Sequence, residues 1–226
     1  MPITPDIPAA EAAIVAMTNA FRADQKLAPV RQNPKLTAAA RAYGTKLTRY
    51  QELSHTADGT TPSDRVASAG YSHCQVGENL ASILDSDGFT AQDYAQRTVK
   101  GWESSPGHRK NMLLPFVTET GVAVVRAPTS DPKYIAVQLF ARPESTKYSF
   151  KVMNTAGRAV SYTFDEEKNS VAPNEIVTHT VCLPGAITFA TGGKGVSARY
   201  ETRGGQVFTL KPTSDGGVRV DVAPAR

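Results

Sequence analysis

Val76-Gly77-Glu78-Asn79-Leu80 opens, and Gly101-Trp102-Glu103-Ser104-Ser105-Pro106-Gly107-His108-Arg109-Lys110-Asn111 closes, the stretch around which this chain is arranged. The first segment sets one carboxylate inside an otherwise neutral run. The second reads as a loop entering a helix, with Ser105 as N-cap and Pro106 at the first helical position. His108 then falls in the first turn, in a rigid frame. Upstream, His55-Thr56-Ala57-Asp58-Gly59 places a histidine where a helix ends and a turn begins.

Working outward, Ala9 to Gln25 reads as a helix, with Ile14, Met17 and Phe21 on one face. Asn33-Pro34 gives the cap-then-proline signal for a second helix. Its apolar stripe is Leu36, Ala40, Tyr43, Leu47 and Tyr50, which assigns both tyrosines to the core. Thr61-Pro62 opens a short helix through Val66 and Ala69, stopped by Gly70. Val76 to Ile83 follows, then a helix from Thr90 through Trp102, whose tryptophan, the only one in the chain, anchors that helix end. Gly121 to Val125 and Tyr134 to Ala141 are apolar at nearly every position, as central strands covered on both faces are. The class is α+β, beginning with a three-layer α/β/α sandwich.

After Arg142-Pro143-Glu144-Ser145 the pattern changes. Tyr148-Phe150-Val152, Ile187-Phe189, Val207-Thr209 and Val218-Val220-Val222 alternate with period two. Turn signals separate them, at Asn154 to Gly157, Pro184-Gly185, Gly192-Gly193, Gly204-Gly205 and Gly216-Gly217. About seven short strands predict a small all-β sandwich of unassigned role. The expected domains are residues 1–142 and 143–226.

The 226 residues carry a net charge of +4, with 40% hydrophobic and 20% charged residues, which excludes a disordered chain. No basic run interleaved with aromatics supports nucleic-acid binding, and no apolar stretch has the length of a transmembrane span. Met1-Pro2-Ile3-Thr4-Pro5-Asp6 lacks the pattern of a secretory signal. Read as a native start it predicts a cytosolic protein; read as what a removed leader left, an exported one.

The ordered series His55-Thr56, Gly77-Glu78-Asn79-Leu80, Trp102 with Ser105-Pro106-Gly107-His108-Arg109, Thr118-Glu119-Thr120-Gly121-Val122 and Val137-Gln138-Leu139-Phe140 resembles the CAP superfamily. That superfamily comprises cysteine-rich secretory proteins, antigen 5 and pathogenesis-related 1 proteins, and the closer likeness is to its bacterial, SCP-like branch. The resemblance covers about residues 8–142. It implies the same α/β/α sandwich, an extracellular or periplasmic location, and a central cavity lined by two histidines and two acids. Motif match gives His55 and His108 the histidine positions and Glu78 the first acidic one. Glu103 is a candidate for the second, although animal members place that glutamate further along the helix and bacterial members often lack it. For some relatives the resemblance implies sterol or lipid binding.

Two neutral imidazoles, His55 and His108, are metal ligands of the kind zinc takes, and a carboxylate beside them can orient a ring. The competing reading is a polar plug whose members satisfy one another. Three functions follow. The first is a binding protein for a divalent metal or a small or lipid-like ligand, with the β domain contacting a cell-surface polymer or protein. The second is a metal-dependent hydrolase, protease-like, using His55, His108 and Glu78. The third is a structural secreted module. The expectation is binding rather than turnover. Ser104 or Ser105 near His108 would suit a nucleophile, but Ser105 is explained as a cap and no Gly-x-Ser-x-Gly elbow occurs. His73 and His179 match no motif and read as surface or sheet residues. Cys74 and Cys182 are either two buried thiols or one disulfide formed in an oxidising compartment.

Overall fold

In the computed structural model, which describes residues 1–191 and 197–224, the chain divides into two compact units, Met1–Ser145 and Thr146–Arg226. The first unit contains α1 (Ile7–Asp24), β1 (Arg31–Gln32), α2 (Pro34–Leu47), α3 (Pro62–Ser68), β2 (His73–Leu84), α4 (Ala91–Ser104), α5 (Pro106–Met112), β3 (Glu119–Arg126) and β4 (Lys133–Pro143). Its sheet runs β1-β3-β4-β2, so β2 is an edge strand. Only β1 pairs parallel to its neighbour; β3 and β2 lie antiparallel to β4.

The period of two along β3 and β4 sorts their side chains onto two faces. Val122, Val124, Tyr134, Ala136 and Phe140 pack with α1 and α4 residues such as Ile14, Tyr94 and Trp102. Ala123, Ile135, Val137, Leu139 and Ala141 pack with Leu36, Tyr43, Leu47 and Val66 of α2 and α3. Both faces are dry, which is why these strands read as unbroken apolar runs. The result is the three-layer sandwich. Gly121 sets the distance between α2 and β3, because a Cβ there would stand 2.2 Å from the backbone carbon of Leu36.

The helices begin as their caps dictate. Asp6 and Asn33 accept the backbone N–H groups of Ala9 and Lys35, and Thr61 and Thr90 close capping boxes with Asp64 and Asp93. Gly70, with φ at +76°, ends the α3 segment in the left-handed region. Three expectations need correction. Tyr50 is not core: α2 stops at Leu47, and Tyr50 is 42% exposed beyond it. His55 does not end a helix but opens a separate turn downstream of α2. Ser105 does occupy the N-cap of α5, but its side chain makes no capping bond, because the same residue closes α4.

A 3-10 turn (Glu144–Thr146) spans the boundary, and the second unit holds eight described strands: β5 (Tyr148–Asn154), β6 (Val160–Phe164), β7 (Glu167–Val171), β8 (Ile176–Val181), β9 (Ala186–Ala190), β10 (Ser197–Glu201), β11 (Val207–Pro212) and β12 (Val218–Ala223). They form two four-stranded sheets, β10-β9-β6-β7 and β12-β11-β5-β8. Phe150, Val152, Tyr162, Val171, Ile187, Phe189, Phe208 and Leu210 fill one shared core, which makes the unit a β-sandwich. In β11 it is Phe208 and Leu210 that face inward, not the alternating pair Val207 and Thr209. His179 of β8 stacks on Phe150 and meets the Tyr162 hydroxyl at 2.8 Å, joining the two sheets. Gly192-Gly193 lies outside the described residues. Neither Cys74 nor Cys182 is a free thiol, which removes the reading of two unpaired cysteines.

Candidate functional site

Along β2, Val76, Glu78 and Leu80 face α2 and α3, whereas Gly77, Asn79 and Ala81 face α4 and α5; this is the strand alternation. Each residue of Gly77-Glu78-Asn79-Leu80 therefore has a separate contact. Gly77 admits α5 and the chain after it: a Cβ there would stand 2.8 Å from Leu114 Cδ1 and 3.3 Å from Asn111 Oδ1. The Asn79 amide donates to the His108 carbonyl at 3.1 Å, and Asn111 donates to Asn79 Oδ1 and to the Glu78 carbonyl. The Leu80 carbonyl accepts the Trp102 indole N–H at 3.0 Å. The two asparagines thus pin α5, and with it His108, against the strand that carries Glu78.

On the opposite face the Glu78 carboxylate is buried, its side chain 1% exposed. One oxygen lies 2.8 Å from His55 Nδ1 and the other accepts from Arg65 Nη2 at 2.7 Å. Arg65 enters from α3 and is itself 8% exposed. Its Nη1 donates to the carbonyls of His55 and Thr60, and its guanidinium lies 3.4 Å over the Tyr43 ring. The Tyr43 hydroxyl donates to the Ser54 carbonyl and accepts the Ala57 N–H. Asp58 closes the same turn, bonded to Thr60 and paired with Lys46 at 2.6 Å, and these contacts hold its carboxyl far below the usual range. The backbone that presents His55 is therefore fixed at Tyr43, Asp58 and Arg65, while the ring itself stays half exposed.

His108 comes to this cluster from α5. Burial, and then the nearby charge of His55, hold its imidazole below the ordinary value. The helices bearing Arg65 and His108 pack on opposite faces of β2, and among the described residues the charge of His55 is the one link between the two histidines. Glu103 is not brought here. It pairs with Lys100 at 2.7 Å and lines a groove between α1 and α4 with Met17, Phe21 and Val99. Ser104 donates to the Lys100 carbonyl, so it faces its own helix. His73 starts β2.

Sequence reasoning did not single out Arg65, nor the hydroxyl of Tyr43.

The fold compares with known proteins as follows. An outer surface protein of Borrelia burgdorferi superposes with a TM-score of 0.52 at 22% identity, over 60% of this chain and 93% of that one. An extracellular protein containing a SCP domain from Bacillus anthracis gives 0.50 at 24% identity, over 63% of this chain and 45% of that one. YkwD of Bacillus subtilis, an uncharacterized protein, is 33% identical over 122 residues, 54% of this chain. The chain spans less than half of that relative, 44% of its length. The model of the cysteine-rich secretory protein family matches residues 15–140, so this chain belongs to the CAP family and is a bacterial-type member of it.

Proposed function

We propose that the protein is an exported binding protein whose site at the rim of β2 takes a divalent metal or a small ligand between His55 and His108. The observation that carries this reading is the chain Arg65–Glu78–His55. A buried, doubly bonded carboxylate fixes the tautomer and direction of a ring that solvent still reaches, the usual outer-shell arrangement of a ligating histidine. With Nδ1 turned to Glu78, Nε2 is the nitrogen left to bind.

The residues suit a two-imidazole site completed by solvent or ligand. Among the described residues no group of three or more His, Cys, Asp or Glu is placed to hold a metal, His55, Glu78 and His108 together included, so an ion would rest on the two imidazoles alone. Zinc, when bound, would supply Lewis acidity toward whatever fills its remaining positions. A hydrolase using Glu78 as base has weaker support, because both carboxylate oxygens are already engaged by His55 and Arg65. A lipid-like ligand finds its support elsewhere, in the groove of about 300 Å³ between α1 and α4, walled by Met17, Ala20, Phe21 and Val99. In the second unit, Ser161, Thr163, Ser170 and Thr188 bring hydroxyl groups, and Lys168 a cation, to a groove that also holds Tyr162 and Ala190, which suits contact with a surface polymer. Among the described residues no helix is long and apolar enough to cross a membrane. Export is the counterpart here of the Bacillus anthracis protein's description as extracellular.

Calorimetric titration of metal-free protein with zinc tests the reading, with His108→Ala as the variant and circular dichroism to confirm its fold. Wild type should bind, and the variant should bind about tenfold more weakly or worse. Equal affinities would remove the metal from the account.

A further inference from the structure

One buried charge has no part in the histidine cluster. Arg22 stands in the last turn of α1 and is fully buried. Its acceptors among the described residues are backbone carbonyls, not carboxylates. Nε donates to Ala28 at 2.9 Å, and Nη1 donates to Met112 at 2.7 Å and to Leu114 at 3.0 Å. Nη2 is buried without an acceptor, so the grip on residues 112 and 114 runs through Nη1 alone. A cation taken out of water without a counter-ion is costly to keep.

What the guanidinium holds is the far end of the helix that carries His108. α5 has seven residues, too few for a helix to be stable without packing. Its last carbonyls have no partners inside the helix. The Leu113 N–H goes to the carbonyls of Arg109 and Lys110, and the Leu114 N–H to that of Asn111. The Met112 carbonyl is left over. Arg22 takes it and sets a positive charge at the negative end of the helix dipole. About one turn back, the Arg109 guanidinium lies 4.7 Å over the Phe21 ring, and Arg109 directly follows His108. Phe21 and Arg22 thus fasten α5 to α1, as Asn79 and Asn111 fasten it to β2.

We propose that Arg22 is a positioning residue for His108: by holding the Met112 and Leu114 carbonyls it sets how α5 lies beside β2, and so where the imidazole stands. Its own bonds go to neither histidine. Its effect on metal binding rests on the reading of His55 and His108 as joint ligands; its effect on the His108 ring does not.

Two substitutions in the full-length protein separate the grip on α5 from the bond to Ala28. Arg22→Gln sets an amide nitrogen about where Nε stands, so it keeps the Ala28 bond and loses the two through Nη1. Arg22→Lys carries its ammonium further out, so it keeps a cation at the Met112 carbonyl and loses the Ala28 bond. Both remove interior bonds and should lower the urea midpoint. The His108 ring resonances of metal-free protein, read by carbon-13 NMR with His179 as control, tell them apart. They should move in Arg22→Gln and keep their wild-type positions in Arg22→Lys. Zinc should bind Arg22→Gln about tenfold more weakly than wild type, and Arg22→Lys within about threefold of it. Unmoved His108 resonances in Arg22→Gln, or equal displacement in both variants, would overturn the positioning role. If circular dichroism shows Arg22→Gln unfolded, Arg22→Lys decides: wild-type His108 resonances uphold the role and displaced ones overturn it. Wild type that binds no zinc would remove the ligand reading, and the ring resonances would still decide Arg22.

Discussion

Replacing Arg65 by Met tests whether the buried cation holds the histidine site together. The substitution keeps a long apolar side chain over Tyr43 but deletes the 2.7 Å bond to Glu78 and the bonds to the His55 and Thr60 carbonyls. Glu78, 1% exposed at its side chain, then keeps only His55 as a partner. Removing one member of a buried ion pair costs about 3–5 kcal/mol, because the remaining charge is stranded. Trp102 is the sole tryptophan and is fully buried in the first unit, so its fluorescence during urea unfolding reports on that unit. The midpoint should fall by that amount of free energy at unchanged slope. In Arg65→Met/Glu78→Gln much of the loss should return, since no charge is left alone. Lys46→Ala breaks a pair whose lysine is 51% exposed, and it should cost about 0–1 kcal/mol. A loss for Arg65→Met no larger than that of Lys46→Ala would refute the reasoning.

Three further outcomes follow from the packing and the titrating groups. Gly121→Ala should cost about 3 kcal/mol or more in the same unfolding assay, because its Cβ would meet α2 backbone at 2.2–2.3 Å; a cost near zero would mean that α2 rides freely on β3. His108, lowered by burial and by His55, and His179, lowered by burial alone, both bind protons more weakly when folded. The unfolded chain then holds more protons, so stability should be level above about pH 6.5 and decline as pH falls through the lowered folded values. Melting temperatures between pH 7.5 and 5 should show that decline, shallower in His179→Gln, and an identical profile in the variant would contradict it. For Cys74 and Cys182, unfolded but unreduced protein should titrate no thiol, and reduction should lower the melting temperature. A loop of this length is worth about 4–5 kcal/mol in the chain-entropy account; two thiols in protein made under oxidising conditions would contradict a bridge.

The strands and helices were legible because their residues obey local rules. Thr61 and Thr90 cap, Asn33-Pro34 starts a helix, and the unbroken apolar runs of β3 and β4 could only be covered on both sides. In the second unit β5, β9, β11 and β12 were legible for the same reason, apart from the face of β11, where Val207 and Phe208 offer two apolar registers that only packing decides, whereas β6, β7, β8 and β10 were not singled out. The candidate site was legible in part. His55, Glu78 and His108 announce themselves by residue type and motif. Arg65 does not, since a cation on a seven-residue helix reads as solvated until a buried carboxylate is known to lie opposite. Glu103 failed for the converse reason. An acid beside Trp102 looks placed for the cavity, but Lys100 one helical turn earlier turns it toward the α1–α4 groove. Partners distant in sequence decide the first case and a neighbour on the same helix the second, and residue type alone carries no trace of either.

The central claim is that Glu78, held by Arg65, presets His55 with Nδ1 as donor and Nε2 open to solvent. Nitrogen-15 NMR of the imidazole ring reads this directly, at a pH where the ring is neutral. The account predicts the Nδ1–H tautomer in wild type and its loss in Glu78→Gln, with His179 undisturbed as an internal control. A neutral His55 carrying its proton on Nε2 in wild type would contradict the account.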